Sequence, residues 1–191
     1  MGIGRKEVYF GQDTTLYPEF HNMGTEESGG VADWKHADGD SNNNEMEAGV
    51  ITGGGYGTGT AWAMLGRTFK VEEEEGSEWA TISVTSDVLG QMSSYNDGDQ
   101  YAKVYLEVED LDDDEVHDDT MFEKTDYIGN IDETVEGSVN VNLQAQHSYG
   151  VEIRALAECT VDGDAEEAGS DFSRDDDGNH HVAWEEGNIK F

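Results

Sequence analysis

The sequence predicts an all-β chain: an antiparallel β-sandwich or jelly roll of about eight to ten short strands with a long irregular N-terminal excursion. Three observations predict it. Several segments alternate apolar and polar residues with a period of two, the signature of half-buried strands. Clusters of Gly, Asp and Asn separate those segments at short intervals, where turns are needed. No segment carries the 3.6-residue period of an amphipathic helix.

Residues 1–60 are expected to form an N-terminal arm and irregular contact segment, and residues 61–191 the β-sandwich domain. Val8 and Phe10 fit one face of a short early strand, and Pro18, the only proline, closes it. This arm either docks on a neighbour or folds back on its own domain. Residues 21–60 read as irregular because His21, Asn22, Gly24, Gly29, Gly30, Asp38, Gly39, Asp40 and Asn42 to Asn44 are turn formers. Trp34 and Met46 are candidate anchors for this stretch.

The glycine-rich run from Gly53 to Thr60 invites a phosphate-loop reading and fails it. Thr60 stands where the P-loop lysine is required after Gly59, and Thr58 stands where a dinucleotide loop needs its third glycine. A turn or linker is the expectation.

From Ala61 onward the chain is regular. Ala61 to Leu65 and Phe69 to Val71 read as strand pieces on either side of Gly66, and Glu72 to Gly76 as a charged turn. In Trp79 to Thr85, residues Ala80, Ile82 and Val84 point inward; Asp87 to Gly98 reads as a turn region, with a short strand possible at Val88 to Met92. Tyr101 to Val108 is the clearest strand, with Ala102, Val104, Leu106 and Val108 on one face and Tyr101, Lys103, Tyr105 and Glu107 on the other. Val116 to Phe122 is a candidate partner, and Tyr127 to Val135 is ambiguous. Val139, Val141, Leu143 and Ala145 share a face, as do Val151, Ile153 and Ala155. Residues 158–180 read mostly as turn with Phe172 as an anchor, and Val182, Trp184, Ile189 and Phe191 close the chain.

At 191 residues one domain is the prior. The formal net charge is -34, from 44 acids against 10 bases. That excludes nucleic acid as a partner, because a phosphate backbone needs clustered Lys and Arg. It also disfavours anionic membrane surfaces, and no stretch is apolar enough for membrane insertion. Val, Ile, Leu and Phe supply 35 of the 191 residues, below the roughly 20% that marks disorder-prone chains. The alternating segments argue against wholesale disorder, and the even spread of acids argues against a mere acidic tail. What remains is a folded protein for concentrated salt, where a Debye length of about 3 Å at 1 M screens self-repulsion.

Cys159 is alone, so no intramolecular disulfide framework or cysteine-based zinc site is expected. Met1 to Lys6 leads into no apolar signal core, and no Asn-X-Ser/Thr acceptor occurs. Synthesis in a cytoplasm, with no general secretory route, is the expectation.

Among chemical constellations, Asp110, Asp112 and Asp114 have the opening spacing of a calcium loop. The helix-flanked version needs Gly at its sixth place and Glu at its twelfth, and Glu115 and Met121 stand there. A looser site of loop carboxylates for Ca²⁺, Mg²⁺ or Na⁺ remains open there, and at Asp171 with Asp175 and Asp177; solvated turns are the plainer reading, and no cofactor is required. His180 and His181 would point to opposite faces of a strand, and the other histidines are scattered, which disfavours zinc. No nucleophile elbow supports a serine triad, and no enzyme is expected. Tyr101 and Tyr105, with Trp79 on another strand, form a candidate ligand or contact face, since exposed aromatics stack on sugars or seat partner proteins.

Five phrases come together: Ala61-X-Ala63-X-X-Gly66-X-X-Phe69-X-Val71; Val104-X-Leu106-X-Val108-Glu109-Asp110-Leu111; Val139-X-Val141-X-Leu143-X-Ala145-X-His147-X-Tyr149-X-Val151; Glu167 to Phe172; and Ile189-X-Phe191. In these the chain resembles the small acidic β-sandwich proteins of halophilic archaea and their viruses, over about residues 60–191. The resemblance implies a structural or surface-binding role and brings no enzymatic residues with it. The leading expectation is a virion protein: capsid decoration or turret, otherwise capsid or tail subunit, assembling with copies of itself and other virion proteins. The alternative is a carbohydrate-binding module for a host-surface glycan.

Overall fold

The computed structural model describes residues 6–29, 32–95, 98–163, 166–172 and 180–191. The strands are β1 (Lys6–Val8), β2 (Thr14–Leu16), β3 (Phe20–Ser28), β4 (Ala32–Asp40), β5 (Glu45–Gly53), β6 (Gly57–Val71) and β7 (Ser77–Tyr95). They continue with β8 (Asp99–Asp110), β9 (Glu115–Thr125), β10 (Gly129–Gln144), β11 (Ser148–Val161), β12 (Glu167–Asp171) and β13 (His181–Lys190). The chain is all-β, and its two sheets pack as a sandwich.

The first sheet runs β1-β6-β11-β8-β9, with β3 sharing the outer edge of β6 with β1. The second runs β10-β7-β12-β5-β13-β2, with β4 on β5, and β7 also pairs with β13. The described pairings are antiparallel except β1 on β6.

The alternation read from sequence places the core. Ala102, Val104, Leu106 and Val108 of β8 are fully buried, as are Val151, Ile153 and Ala155 of β11. Facing them across the seam are Met46, Ala48 and Val50 of β5, Ile82, Val84 and Val88 of β7, and Val182 and Ile189 of β13. Phe122 and Phe172 meet edge to face at 6.0 Å and tie β9 to the segment after β12. Phe69 stacks on Tyr149 at 5.2 Å.

Three expectations need correction, and the choice left open for the early arm is resolved. Residues 21–60 are not an irregular excursion: they form β3, β4 and β5, and the expected division at residue 60 falls inside β6. The side chains of β3 are mostly exposed, so no period-two signal marks it. Its backbone is held instead by β6, from Phe20 against Gly66 to Ser28 against Thr58. The early arm folds back on its own chain, through β1 on β6 and β2 on β13. Asp87 to Tyr95, expected as a turn region with at most a short strand at Val88 to Met92, continues β7 without a break, because β10, β12 and β13 pair with it there. Residues 158–180 contain a strand, β12, which β5 and β7 hold between them. Only the middle of the glycine run is the turn expected of it: Gly53 ends β5 and Gly57 to Thr60 begin β6, while Gly54 and Gly55 take φ of 61° and 131° between them, where a side chain would be strained.

Ile153 lies on β11, the strand between β6 and β8, and is fully buried. Ile153→Ala is expected to cost about 2–5 kcal/mol of unfolding free energy, measured by urea titration in molar salt. The melting temperature of the native chain is expected to rise as salt goes from about 0.1 M to about 1 M, because the Debye length shortens from about 10 Å to about 3 Å. A melting temperature that falls over that range would contradict the role given to screening.

Candidate functional site

The outer face of the first sheet collects aromatic and cationic side chains in register. Trp62 of β6 is paired with Leu156 of β11, which is paired with Lys103 of β8. In the next row Met64 is opposite Arg154, and Arg154 is opposite Tyr105. Ala61 and Ala63 are buried in the core, so alternation turns Trp62 outward. Gly24 of β3 is its partner on the other side. A Cβ added at Gly24 would come within 2.8 Å of the indole, so the ring lies down on bare backbone.

Arg154 is fixed from two sides. It donates to Glu107 at 2.8 Å and to Glu152 at 2.8 and 3.1 Å. Burial opposes its charge, but the two carboxylates overcome that and raise its pKa. Burial pushes the Glu107 carboxyl up, with Arg154 pulling the other way. The Lys103 ammonium lies 5.0 Å from the centre of the Tyr105 ring, a cation–π contact. Trp62, Tyr105, Arg154 and Leu156 line a depression of about 240 Å³.

A second depression, of about 440 Å³, opens further along the same two strands. Asp99, Gln100, Tyr101, Asp126, Glu158 and Thr160 line it. The Tyr101 hydroxyl donates to Glu123 at 3.0 Å. Burial, then this bond to a carboxylate, push the phenol up to about 12.

The sequence-derived contact face is therefore only partly assembled. Tyr101 and Tyr105 share one outer face of β8, both half-buried. Trp79 does not join them: it lies on β7 of the other sheet, is 66% exposed, and lines a separate depression with Asp113, Glu115 and His117. Trp62, Arg154 and Leu156 take part although the sequence did not single them out. The signal for Trp62 was present, as the outward residue between two inward alanines. Its register against Arg154 and Tyr105 was not, because pairing across three strands is set by the fold.

The acidic turn after β8 also differs from expectation. Asp110 is 6% exposed, and its carboxylate is already engaged. Oδ1 accepts from the Asp112 and Asp113 amides at 3.0 and 3.3 Å, and Oδ2 lies 2.8 Å from His147 Nδ1. Asp112 accepts from the Ser148 amide at 2.7 Å, and Leu111 donates to the Ser148 carbonyl at 2.9 Å. The result is a clamp between the β8–β9 and β10–β11 turns. Asp110, Asp112 and His147 bring one ligand atom each within 4.8 Å of one another, and a cation there would compete with the clamp's own hydrogen bonds. Asp114, expected as the third ligand, is not in that group; it adopts a left-handed φ of 57° and donates its amide to the Asp110 carbonyl. At the other expected cation site, Asp171 lies on β12 with its carboxylate 3.6 Å from His180 Nδ1. Asp175 and Asp177 fall outside the described residues.

Burial raises Asp110, but bonds from His147, the Asp112 amide and Tyr149 outweigh it and hold the carboxyl below its usual range. The bond to Asp110 raises His147 above that of a free imidazole, against a smaller burial penalty. A lowered carboxyl stabilises the fold above its unfolded pKa of about 3.9 and loses that contribution as pH falls through the folded value. A raised imidazole contributes fully below about 6.5 and loses that contribution as pH rises through its folded value. The clamp is therefore strongest between those limits. His147→Gln is expected to lower the melting temperature at about pH 5.5 and to bring it closer to the native value above the raised imidazole pKa; parallel pH–melting curves for the two proteins would contradict this.

Comparison with known proteins adds little. No family model matches the sequence, and no curated protein matches it. Among solved structures, a mutant of a family 29 carbohydrate-binding module, studied for ligand recognition, aligns over 90% of this chain and 91% of its own at 10% identity, with a TM-score of 0.22. An overlap that loose carries no argument about this chain.

Proposed function

We propose that the protein is a carbohydrate-binding β-sandwich and that it holds a glycan on the outer face of its first sheet. The observation that carries this reading is the in-register cluster of Trp62, Leu156, Arg154 and Tyr105 around one depression. A sugar ring has an apolar C–H face and a rim of hydroxyls. An indole lying on the sheet suits the first through its electron-rich face. The ion-paired Arg154 with Glu107 and Glu152 suits the second, offering fixed donors and acceptors side by side. Backbone pairing holds the strands that bear these groups, so little ordering remains to be done on binding. In this reading the protein binds and does not catalyse.

The particle-assembly role expected from the resemblance rests on composition and strand phrases, whereas the glycan role rests on placed side chains. A glycan array in multimolar salt followed by titration of the best ligand tests the proposal. Trp62→Ala and Tyr105→Ala are each expected to weaken binding by about tenfold or more, which is about 1.4 kcal/mol, with melting temperatures near the native one. A native protein that binds no glycan, or a folded Trp62→Ala variant that binds as the native does, would reject it.

A further inference from the structure

The two aromatic side chains of the candidate site stand too far apart to share one sugar. Trp62 lies on β6 and Tyr105 on β8, with β11 between them. Their rows are offset by two residues, since Trp62 is opposite Leu156 and Tyr105 is opposite Arg154. Two strand spacings of about 4.8 Å and two residues of about 3.3 Å set their backbone positions roughly 12 Å apart on the diagonal. The Trp62 indole is drawn further off, over Gly24 of β3. One sugar of a glycan chain advances by about one strand spacing, roughly 5 Å. The two side chains therefore suit sugars at least two steps apart, and the sugar between them lies over β11.

There β11 presents Arg154 and Leu156. Ile153, Ala155 and Ala157 are buried in the core, so both residues point outward. The Arg154 Nε donates to Glu152, and its Nη2 donates to Glu107 and Glu152. Its Nη1 makes no hydrogen bond among the described residues and is not buried, and the side chain is 34% exposed. Both Nη1 protons thus remain for a ligand. Glu107 and Glu152 each accept through one oxygen, and the second oxygen of each accepts from no described residue. A hydroxyl both donates and accepts, so a sugar meets these donors and acceptors together. These are direct, half-buried contacts, which salt screens little.

We infer, resting on the glycan reading above, that the ligand is an oligosaccharide of three or more sugars that crosses the strands from Tyr105 to Trp62. One sugar stacks at each end. Arg154 Nη1 donates to oxygens of the sugar between them, and hydroxyls of that sugar donate to Glu107 and Glu152.

Calorimetric titration in molar KCl tests this with neutral gluco-, manno- and xylo-oligosaccharides of two and four sugars. In at least one series the native chain is expected to bind four sugars about tenfold more tightly than two. Trp62→Ala and Tyr105→Ala are each expected to bring the four-sugar affinity down to the native two-sugar value. Arg154→Lys keeps a charge for the glutamates and loses the Nη1 donors; it is expected to bind both lengths about tenfold more weakly, with a melting temperature near the native one. Equal native affinity for two and four sugars, with binding still lost in Trp62→Ala, overturns the crossing path and leaves the platform standing; the length comparison needs no variant to fold. A folded Arg154→Lys variant that binds as the native does overturns the role of Nη1. A native chain that binds none of the three series overturns this inference, and one that also binds nothing on the array overturns the glycan reading with it.

Discussion

The apolar seam between the two sheets is the constraint on which the other features depend. It is built from small residues: alanines and valines on β6, β8 and β11 meet Met46, Ala48 and Val50 and the inward side chains of β7. A chain with so few large apolar residues gains only modestly per residue from burial. It compensates by length and continuity. β6, β7, β10 and β11 are long strands, and each contributes inward residues along much of its run. The aromatic contacts at Phe69–Tyr149 and Phe122–Phe172 supply bulk where alanine and valine would leave gaps.

Because the seam fixes which residue of each strand points inward, it also fixes which points out. The outer face of the first sheet is thereby a by-product of the core, and its pattern is exact to one residue. Glycines do further work on that face. Gly24 lets the Trp62 indole lie against backbone, and Gly66 does the same for the Phe20 ring. In both cases the missing side chain on one strand seats an aromatic from the next. Such seats hold an aromatic ring against the backbone of the neighbouring strand.

Charge acts on a different scale. Ten bases cannot pair 44 acids, so most carboxylates are solvated and repel one another. The bases are used selectively. Arg154 is held by two glutamates in the middle of the candidate site, and Lys124 bridges to Glu133 of β10 while lying over the Phe122 and Tyr127 rings. Where no base was at hand, the Asp110 carboxylate is satisfied by backbone amides and a histidine. An acid-rich turn whose spacing left a cation site open thus works as a clamp between the β8–β9 hairpin and the β10–β11 connection that joins the two sheets, and this follows from hydrogen bonds that spacing alone cannot show.

The sequence by itself determined the class of fold and the inward faces of β8, β11 and the second half of β10, because period-two alternation is a local property. It showed Tyr101 and Tyr105 as outward neighbours for the same reason. Only the tertiary structure decided that residues 21–60 are strands: β3 is polar and mostly exposed, and it is a strand because the edge of β6 offers its backbone partners. Only the tertiary structure parted Trp79 from the tyrosines and put Trp62, Arg154 and Leu156 beside them. Those relations depend on which strand pairs with which, and in what register. Register is settled by the burial of many residues together, so it cannot be read from any one of them.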